Sequence, residues 1–298
     1  MDVIRFTLNQ LPEPTPGLTL ALGEFDGVHL GHRRLLLEAA MSGSGPAGVL
    51  LFALPFPGKG EKVLMTLEDK LVELGKDNID VVYVLEGGEE VFGLSPEAFI
   101  ETVLKRLGTK EVVVGPDYRF GKDAKGDVEL LKQHFKVLLV PFATIEEEKI
   151  STSAIRQFLK DGDVEKARRY LGRPYRIKGK TLPGKKLGRK LGFPTLNLSA
   201  ESPYQLPGDG VYLALAFFKG RFFRAIVDIG NKPTVSSSNE RSVEAHLLGY
   251  EGNEDYDFTL YLEFLAFHRK EMAFASQEEL IEQLKKDKAW ALSYDDYL

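Results

Sequence analysis

The chain has 298 residues, 43% apolar and 28% charged, with a net charge of −5 and no cysteine. That length suits two domains of ordinary globular composition, and the missing cysteines exclude a disulfide framework and fit a reducing compartment. The acidic balance speaks against broad nucleic-acid binding, residues 1–10 lack the apolar core of a signal peptide, and no stretch has the length of a membrane span. The expectation is a cytoplasmic protein, monomeric or weakly homo-oligomeric, with neither nucleic acid nor membrane as partner.

The first half alternates strand and helix patterns. Strands are predicted over residues 18–22, 48–52, 81–85, 111–114 and 137–140, and helices over 33–41, 67–76, 96–107 and 127–134. This alternation implies a Rossmann-like α/β domain, a parallel sheet with helices on both faces. Ligands in such sheets bind beyond the carboxyl ends of the strands. Two segments fall there. One is Gly23-Glu24-Phe25-Asp26-Gly27-Val28-His29-Leu30-Gly31-His32, after the first strand of the alternation. The other is Gly115-Pro116-Asp117-Tyr118-Arg119-Phe120-Gly121, after residues 111–114.

In the first of these, a glycine turn leads into a helix, where free backbone N–H groups and the helix dipole favour an anion. His29 and His32 are three apart and share a helix face, and Gly31 leaves room for a ligand near the backbone. A zinc site would need further ligands that no nearby spacing supplies.

Two helices follow, over 153–160 and 164–170, the second capped by Asp163 and closed by Leu171-Gly172-Arg173-Pro174. A domain boundary is expected there, giving domains 1–172 and 173–298. Ser151-Thr152-Ser153-Ala154-Ile155-Arg156 brings three hydroxyls, a helix start and an arginine together, the parts of a pyrophosphate clamp. By itself it reads better as a capped helix with a surface arginine.

The second half changes character. Strands over 175–180, 211–218, 222–229, 241–248 and 258–267 have no helices between them, which predicts an antiparallel β-barrel domain. A terminal helix over 277–292 follows, with Ser276 as N-cap and Glu279 as capping-box partner. Between Arg173 and Ser199 stand eight Lys or Arg and no acid. Within that stretch Gly184 to Asn197 form a glycine-punctuated basic loop that lacks the Walker order. Thr195 and Asn197, two apart, offer hard oxygen ligands to Mg2+. Glu244 shares a strand face with His246 and suits a general base, although strand pattern alone favours a solvent-facing glutamate.

These motifs, in this order, resemble bacterial bifunctional riboflavin kinase/FMN adenylyltransferases (FAD synthetases). The histidine segment is similar to the family's GxFDGxHxGH, residues 113–121 to its VVGxDFRFG, and residues 151–156 to its Ser/Thr-rich segment ending in Ile-Arg. The second half is similar in Gly188-Arg189-Lys190-Leu191-Gly192-Phe193-Pro194-Thr195-Leu196-Asn197, in Ile229-Gly230 with Pro233-Thr234, and in Val243-Glu244 with His246.

The resemblance implies riboflavin phosphorylation to FMN by the C-terminal domain and adenylylation of FMN to FAD by the N-terminal one, with ATP as co-substrate and Mg2+ as cofactor. It implies catalytic roles for His29, His32 and Glu244. For the adenylyltransferase it places ATP at Gly23, Phe25, Asp26, Gly27, His29, His32, Asp117, Ser151, Thr152, Ser153 and Arg156, and flavin at Pro55, Phe56, Pro57, Tyr118 and Phe120. For the kinase it places ATP at Gly184, Lys190, Pro194, Thr195 and Asn197, the metal on Thr195 and Asn197, and flavin at Arg269 and Phe274.

The chain departs from the family pattern in places. Phe52-Ala53-Leu54-Pro55-Phe56-Pro57 replaces Phe-Asp-Pro-His-Pro, Asp228 replaces the usual Asn, His268 a Leu, and Asp257 a common Gly. The rival readings are another HxGH nucleotidyltransferase, acting on pantetheine phosphate or nicotinate nucleotide, and a flavin- or RNA-binding regulator without catalysis. The Pro194–Asn197 and Val243–His246 segments oppose the first. Intact His29, His32, Thr195, Asn197 and Glu244 oppose the second.

Overall fold

The structure is a computed structural model that describes residues 1–41, 45–54, 62–183, 191–199, 204–231, 241–251 and 256–295. It forms two compact units, Met1–Thr152 and Ser153–Leu298.

The first unit is a parallel six-stranded sheet, β1 (Asp2–Phe6), β2 (Leu18–Leu22), β3 (Ala47–Phe52), β4 (Val81–Leu85), β5 (Thr109–Val114) and β6 (Lys136–Leu139), in the order β1-β4-β3-β2-β5-β6. Side chains alternate across β2. Leu18, Leu20 and Leu22 enter a core with Phe99, Ile100, Val103 and Leu104, whereas Ala21 enters a second core with Leu35, Leu36, Ala39 and Val49. Burial on both faces explains why these strands read as continuous apolar runs.

Helix α1 (Leu30–Met41) leads from β2 to β3, and α2 (Leu67–Leu74) from β3 to β4. The chain then crosses through α3 (Glu89–Phe92) and α4 (Pro96–Phe99) to β5, on the other side of β2. The strand order therefore reverses at β2, and the histidine turn leaves the carboxyl end of that strand. This is the crevice where such sheets bind ligands.

The expected elements are present. The helix predicted over 96–107 widens after Phe99 into a π-helical turn, Ile100–Leu104. The strand β1 is an addition to the expected set. A short α5 (Val128–Lys132) precedes β6, and a two-stranded hairpin, β7 (Thr144–Ile145) and β8 (Glu148–Lys149), leads to the Ser151 segment.

The second unit opens with α6 (Thr152–Lys160), which begins at the last residue of the first unit, and α7 (Val164–Leu171). Asp163 caps α7 through the Lys166 N–H, and Gly172 ends it at φ 75°. A closed antiparallel barrel follows, β9 (Tyr175–Leu182), β10 (Leu196–Leu198), β11 (Gly210–Phe218), β12 (Arg221–Asn231), β13 (Arg241–Leu247) and β14 (Thr259–Arg269), in the order β10-β13-β12-β11-β14-β9. β10 is the strand that the sequence pattern did not announce.

The Phe264 ring packs against those of Tyr175 and Tyr212 in the barrel. Val211, Leu213, Ile226, Leu265 and Ala266 form a separate cluster with Ala291 of the terminal helix α8 (Gln277–Ser293). Ser276 caps α8 as expected, while Glu279 reaches back to the Ala275 N–H, one residue earlier than a regular capping box.

The unit boundary at Thr152 lies before the boundary expected after Gly172. α6 and α7 are fastened to the barrel unit. Glu165 accepts the Phe267 N–H at 3.2 Å, the Leu159 carbonyl accepts the Gly208 N–H at 2.7 Å, and Leu159, Val164, Ala167 and Leu171 are buried.

Candidate functional sites

The histidine turn is built from strained backbone. Phe25, Gly27 and Val28 have φ of 50°, 85° and 39°. A β-branched residue in that region is rare and persists only where surrounding structure enforces it. The enforcement comes from Asp26, 1% exposed, whose carboxylate accepts the N–H groups of Leu64 (3.0 and 3.2 Å) and Met65 (3.1 Å). Its carbonyl accepts the Thr152 hydroxyl at 3.2 Å. Asp26 thus braces the turn, and the buried Phe25 ring lies 5.0 Å from that of His32 as support beneath it.

His29 is the first residue of the helix start, since its carbonyl takes the Arg33 N–H. Its Nδ1 accepts the His32 N–H at 3.2 Å, so a neutral His29 carries its proton on Nε2. The two imidazoles stack at 3.6 Å. Burial, then His29 and Lys70, hold His32 well below the ordinary histidine range, and its buried Nδ1 has no hydrogen-bond partner among the described residues. A neutral ring with an unsatisfied buried nitrogen is unusual unless something fills the gap.

A Cβ on Gly31 would crowd the His29 ring at 3.1 Å, which is why glycine stands there. Arg33, next in line, is held by Glu73 and Asp77 and turned to tying α1 to α2.

Around this turn the structure gathers Thr152 and, on the strand β5 adjacent to β2, the Gly115 turn. Asp117 is exposed and paired with Lys149 at 2.5 Å, and Tyr118 stacks on Phe120 at 5.9 Å. Ser153 and Arg156 lie on the first turns of α6. Pro55, Phe56 and Pro57 lie outside the described residues. Lys70, which donates to the Glu24 carbonyl at 3.0 Å, was not singled out in the sequence. Its signal, a lone lysine in α2, is indistinguishable from a surface charge.

In the barrel unit, Asn197 of β10 pairs with Glu244 of β13, which pairs with Asp228 of β12. Paired residues share a face, so an amide and two carboxylates stand side by side. The Thr195 hydroxyl donates to Glu244 Oε2 at 3.4 Å, and Asn197 is 5% exposed. His246 secures this edge. Its Nδ1–H donates to the Pro194 carbonyl at 2.8 Å, and its ring meets Phe193 edge-on. Burial lowers its proton affinity, consistent with that neutral donor role. Gly184 and Lys190 lie outside the described residues.

Arg269 is fully engaged. Its Nε and Nη2 bind Asp287 at 3.0 and 2.7 Å, and Nη1 binds the Lys270 carbonyl. His268 joins the same carboxylate and stacks on Trp290 at 3.9 Å, so these residues clamp α8 to β14. Phe274 is half-buried in the segment between them. Asp257 has φ 64°, the conformation that makes glycine common at such a position and that aspartate tolerates.

Thr195, Asn197 and Glu244 present hydroxyl, amide and carboxylate oxygens, a hard donor set suited to Mg2+. Among the described residues no group of three or more His, Cys, Asp or Glu is placed to hold a metal. An ion here would rest on few protein ligands and on substrate phosphates.

Residues 11–154 match the FAD synthetase family model, and residues 171–294 the riboflavin kinase family model. The bifunctional riboflavin kinase/FMN adenylyltransferase of Bacillus subtilis is 35% identical over 92% of this chain and 92% of its own. Those of Listeria monocytogenes (34%; 90% and 89%) and Escherichia coli K12 (32%; 99% and 98%) are alike. The chain belongs to the bifunctional riboflavin kinase/FMN adenylyltransferase family. A crystal structure described as a macrolide-efflux protein from Streptococcus pneumoniae superposes with a TM-score of 0.87 at 28% identity, covering 99% of this chain and 100% of that one. Among the described residues of this family member, no helix is long and apolar enough to cross a membrane.

Proposed function

We infer that the histidine turn is the adenylyl-transfer site and the Thr195–Asn197–Glu244 row the riboflavin kinase site of this bifunctional enzyme. The N-terminal unit makes FAD from FMN and ATP, and the barrel unit makes FMN from riboflavin and ATP.

In the first reaction an FMN phosphate oxygen attacks the α-phosphorus of ATP and pyrophosphate leaves. The protein aligns the two and disperses charge, with no covalent intermediate required. The N–H groups at the start of α1 and the ring N–H groups of His29 and His32 donate to the α-phosphate. Ser151 and Thr152 of the same unit receive the pyrophosphate. The orphaned nitrogen of the buried His32 ring is the observation that carries this reading.

In the second reaction Glu244 takes the proton of the riboflavin hydroxyl as its oxygen attacks the γ-phosphorus. Thr195 and Asn197 would hold Mg2+, which neutralises the phosphate charge when bound. The support is the register that sets Asn197 beside Glu244 and the Thr195 hydroxyl on its carboxylate. Glu244→Gln keeps the shape but removes the basic oxygen. FMN formation should fall on the order of a hundredfold, with riboflavin affinity and FAD synthesis from supplied FMN unchanged. A folded variant phosphorylating riboflavin at the parent rate would make Glu244 a structural residue.

A further inference from the structure

Helix α2 and the residues leading into it hold the histidine turn from one side. The Asp26 carboxylate takes the Leu64 and Met65 amides, and two residues earlier the Glu24 carbonyl accepts the Lys70 ammonium at 3.0 Å, from 46 positions along the chain. Thr66 and Asp69 form a capping box at the start of α2, which fixes the helix that carries Lys70. Lys70 is half-buried, and its stem brings a positive charge to the backbone just past the carboxyl end of β2. That is the crevice where such sheets bind ligands. Resting on the reading of this turn as the adenylyl-transfer site, we propose that Lys70 is its phosphate-binding cation, donating to the triphosphate of ATP and to the departing pyrophosphate.

The charges around the turn suit that task. Arg33 is engaged by Glu73 and Asp77, and Lys76 by Glu73, so these cations tie α1 to α2 and α2 to itself. Lys70 instead meets the turn, at a backbone carbonyl. After burial and His29, its charge helps keep His32 below the ordinary histidine range, which places the ammonium near both the turn and the ring. An ammonium has three N–H donors, so it can keep the Glu24 carbonyl and reach a phosphate oxygen as well. Ammonium–phosphate bonds are charge-assisted, and lysine meets phosphate as a point charge on a flexible stem, able to follow it as bonds change.

The step balances. An FMN phosphate oxygen bonds to the α-phosphorus as the α–β bridging bond breaks, and the electron pair of that bond leaves with pyrophosphate. Lys70 gives up no proton. It stays a cation throughout, and its charge counts most as the bridging oxygen becomes negative in the transition state.

The test uses the full chain with Lys70→Met, Lys70→Gln and Lys70→Arg. Gln removes the charge but retains an N–H for the Glu24 carbonyl, so it stays informative where Met unfolds the turn. FAD formation from supplied FMN is measured against ATP and against added inorganic pyrophosphate, with FMN formation by the same protein as control. For Lys70→Gln and Lys70→Met we expect kcat/KM for ATP in FAD formation to fall about a hundredfold. Inhibition by pyrophosphate should weaken about tenfold, and FMN formation should stay at the parent rate. Lys70→Arg should recover most of both losses. The parent's KM for ATP should rise with potassium chloride more steeply than that of Lys70→Gln. A Lys70→Gln enzyme with parent-like kcat/KM for ATP and parent-like pyrophosphate inhibition would overturn the proposal. So would a loss of FAD formation with pyrophosphate inhibition unchanged, the mark of a lysine that only braces the turn. Parent-like FAD formation after His29→Ala with His32→Ala would instead overturn the site reading on which the proposal rests.

Discussion

Asp26 separates two roles that the sequence alone merges, ligand contact and brace. Asp26→Ala would leave the Leu64 and Met65 amides without their acceptor in a site where Asp26 is 1% and Leu64 0% exposed. An unsatisfied buried donor costs about 1–3 kcal/mol, more where the lost acceptor was charged. Two such donors give about 2–6 kcal/mol, a large part of a domain's total stability of about 5–15 kcal/mol. For a unit of this size each kcal/mol lowers the melting temperature by about 2–4 °C. The expected drop is therefore about 4–24 °C in the transition of the N-terminal unit. Calorimetry of the whole chain, alongside separate assays of FAD and FMN formation, reads this directly. FAD synthesis should fall with that transition while FMN formation persists, and Asp26→Asn, which keeps one acceptor oxygen, should lie between. A melting temperature within about 1 °C of parent, with a raised KM for ATP, would refute the brace and make Asp26 a nucleotide ligand.

The remaining expectations follow from the same geometry. His29→Ala with His32→Ala should abolish FAD formation and spare FMN formation; equal loss of both in a folded variant counts against the assignment. Thr195→Ala or Asn197→Ala should raise the Mg2+ concentration needed for FMN formation alone, and an unchanged Mg2+ titration would remove that residue from the metal site. The proposed kinase module, 173–298, can be compared with a fragment of residues 153–298. The longer fragment should make FMN at the parent rate. The shorter one should melt well below it, because it lacks Leu159, Val164, Ala167 and Leu171, buried residues worth roughly 1–3 kcal/mol each. Equal melting temperatures would mean that α6 and α7 add nothing to the barrel.

The alternation of strands and helices was legible because buried parallel strands leave apolar runs between amphipathic segments. The turn at Gly23–His32 was legible because its glycines, histidines and helix start are contiguous. What escaped was long-range or short. β10 is three residues long and has no periodicity to detect, yet it carries Asn197 to Glu244. The engagement of Arg269 by Asp287 pairs residues on separate elements, and the sequence marks neither as the other's partner. The same holds for the hold of Asp26 on Leu64, 38 positions away. Asp228 was visible as a departure from the family pattern, but only the ladder register sets it beside Glu244. The boundary expected after Gly172 rests on a clear helix end at Gly172 and Pro174, whereas the packing of α6 and α7 on the barrel leaves no local mark.

The two proposed sites would meet the same ligand, a polyphosphate, with different groups. At the histidine turn Arg33 is drawn off by Glu73 and Asp77, and His32 is held neutral by burial. What the turn itself offers an anion is largely dipolar, N–H groups of a helix start and ring nitrogens, with Lys70 as the cation beside them. In the barrel, Glu244, Asp228 and Glu271 gather negative charge, and Arg269 is neutralised by Asp287. Phosphate can approach such a row only with cations between, and the hydroxyl of Thr195 and amide of Asn197 are the uncharged oxygens at its edge. A site that must take a proton from an alcohol needs that negative charge. The proposed adenylyl-transfer site, which only exchanges one phosphoanhydride for another, does not, and this difference in proton demand fits the difference in the residues each unit presents.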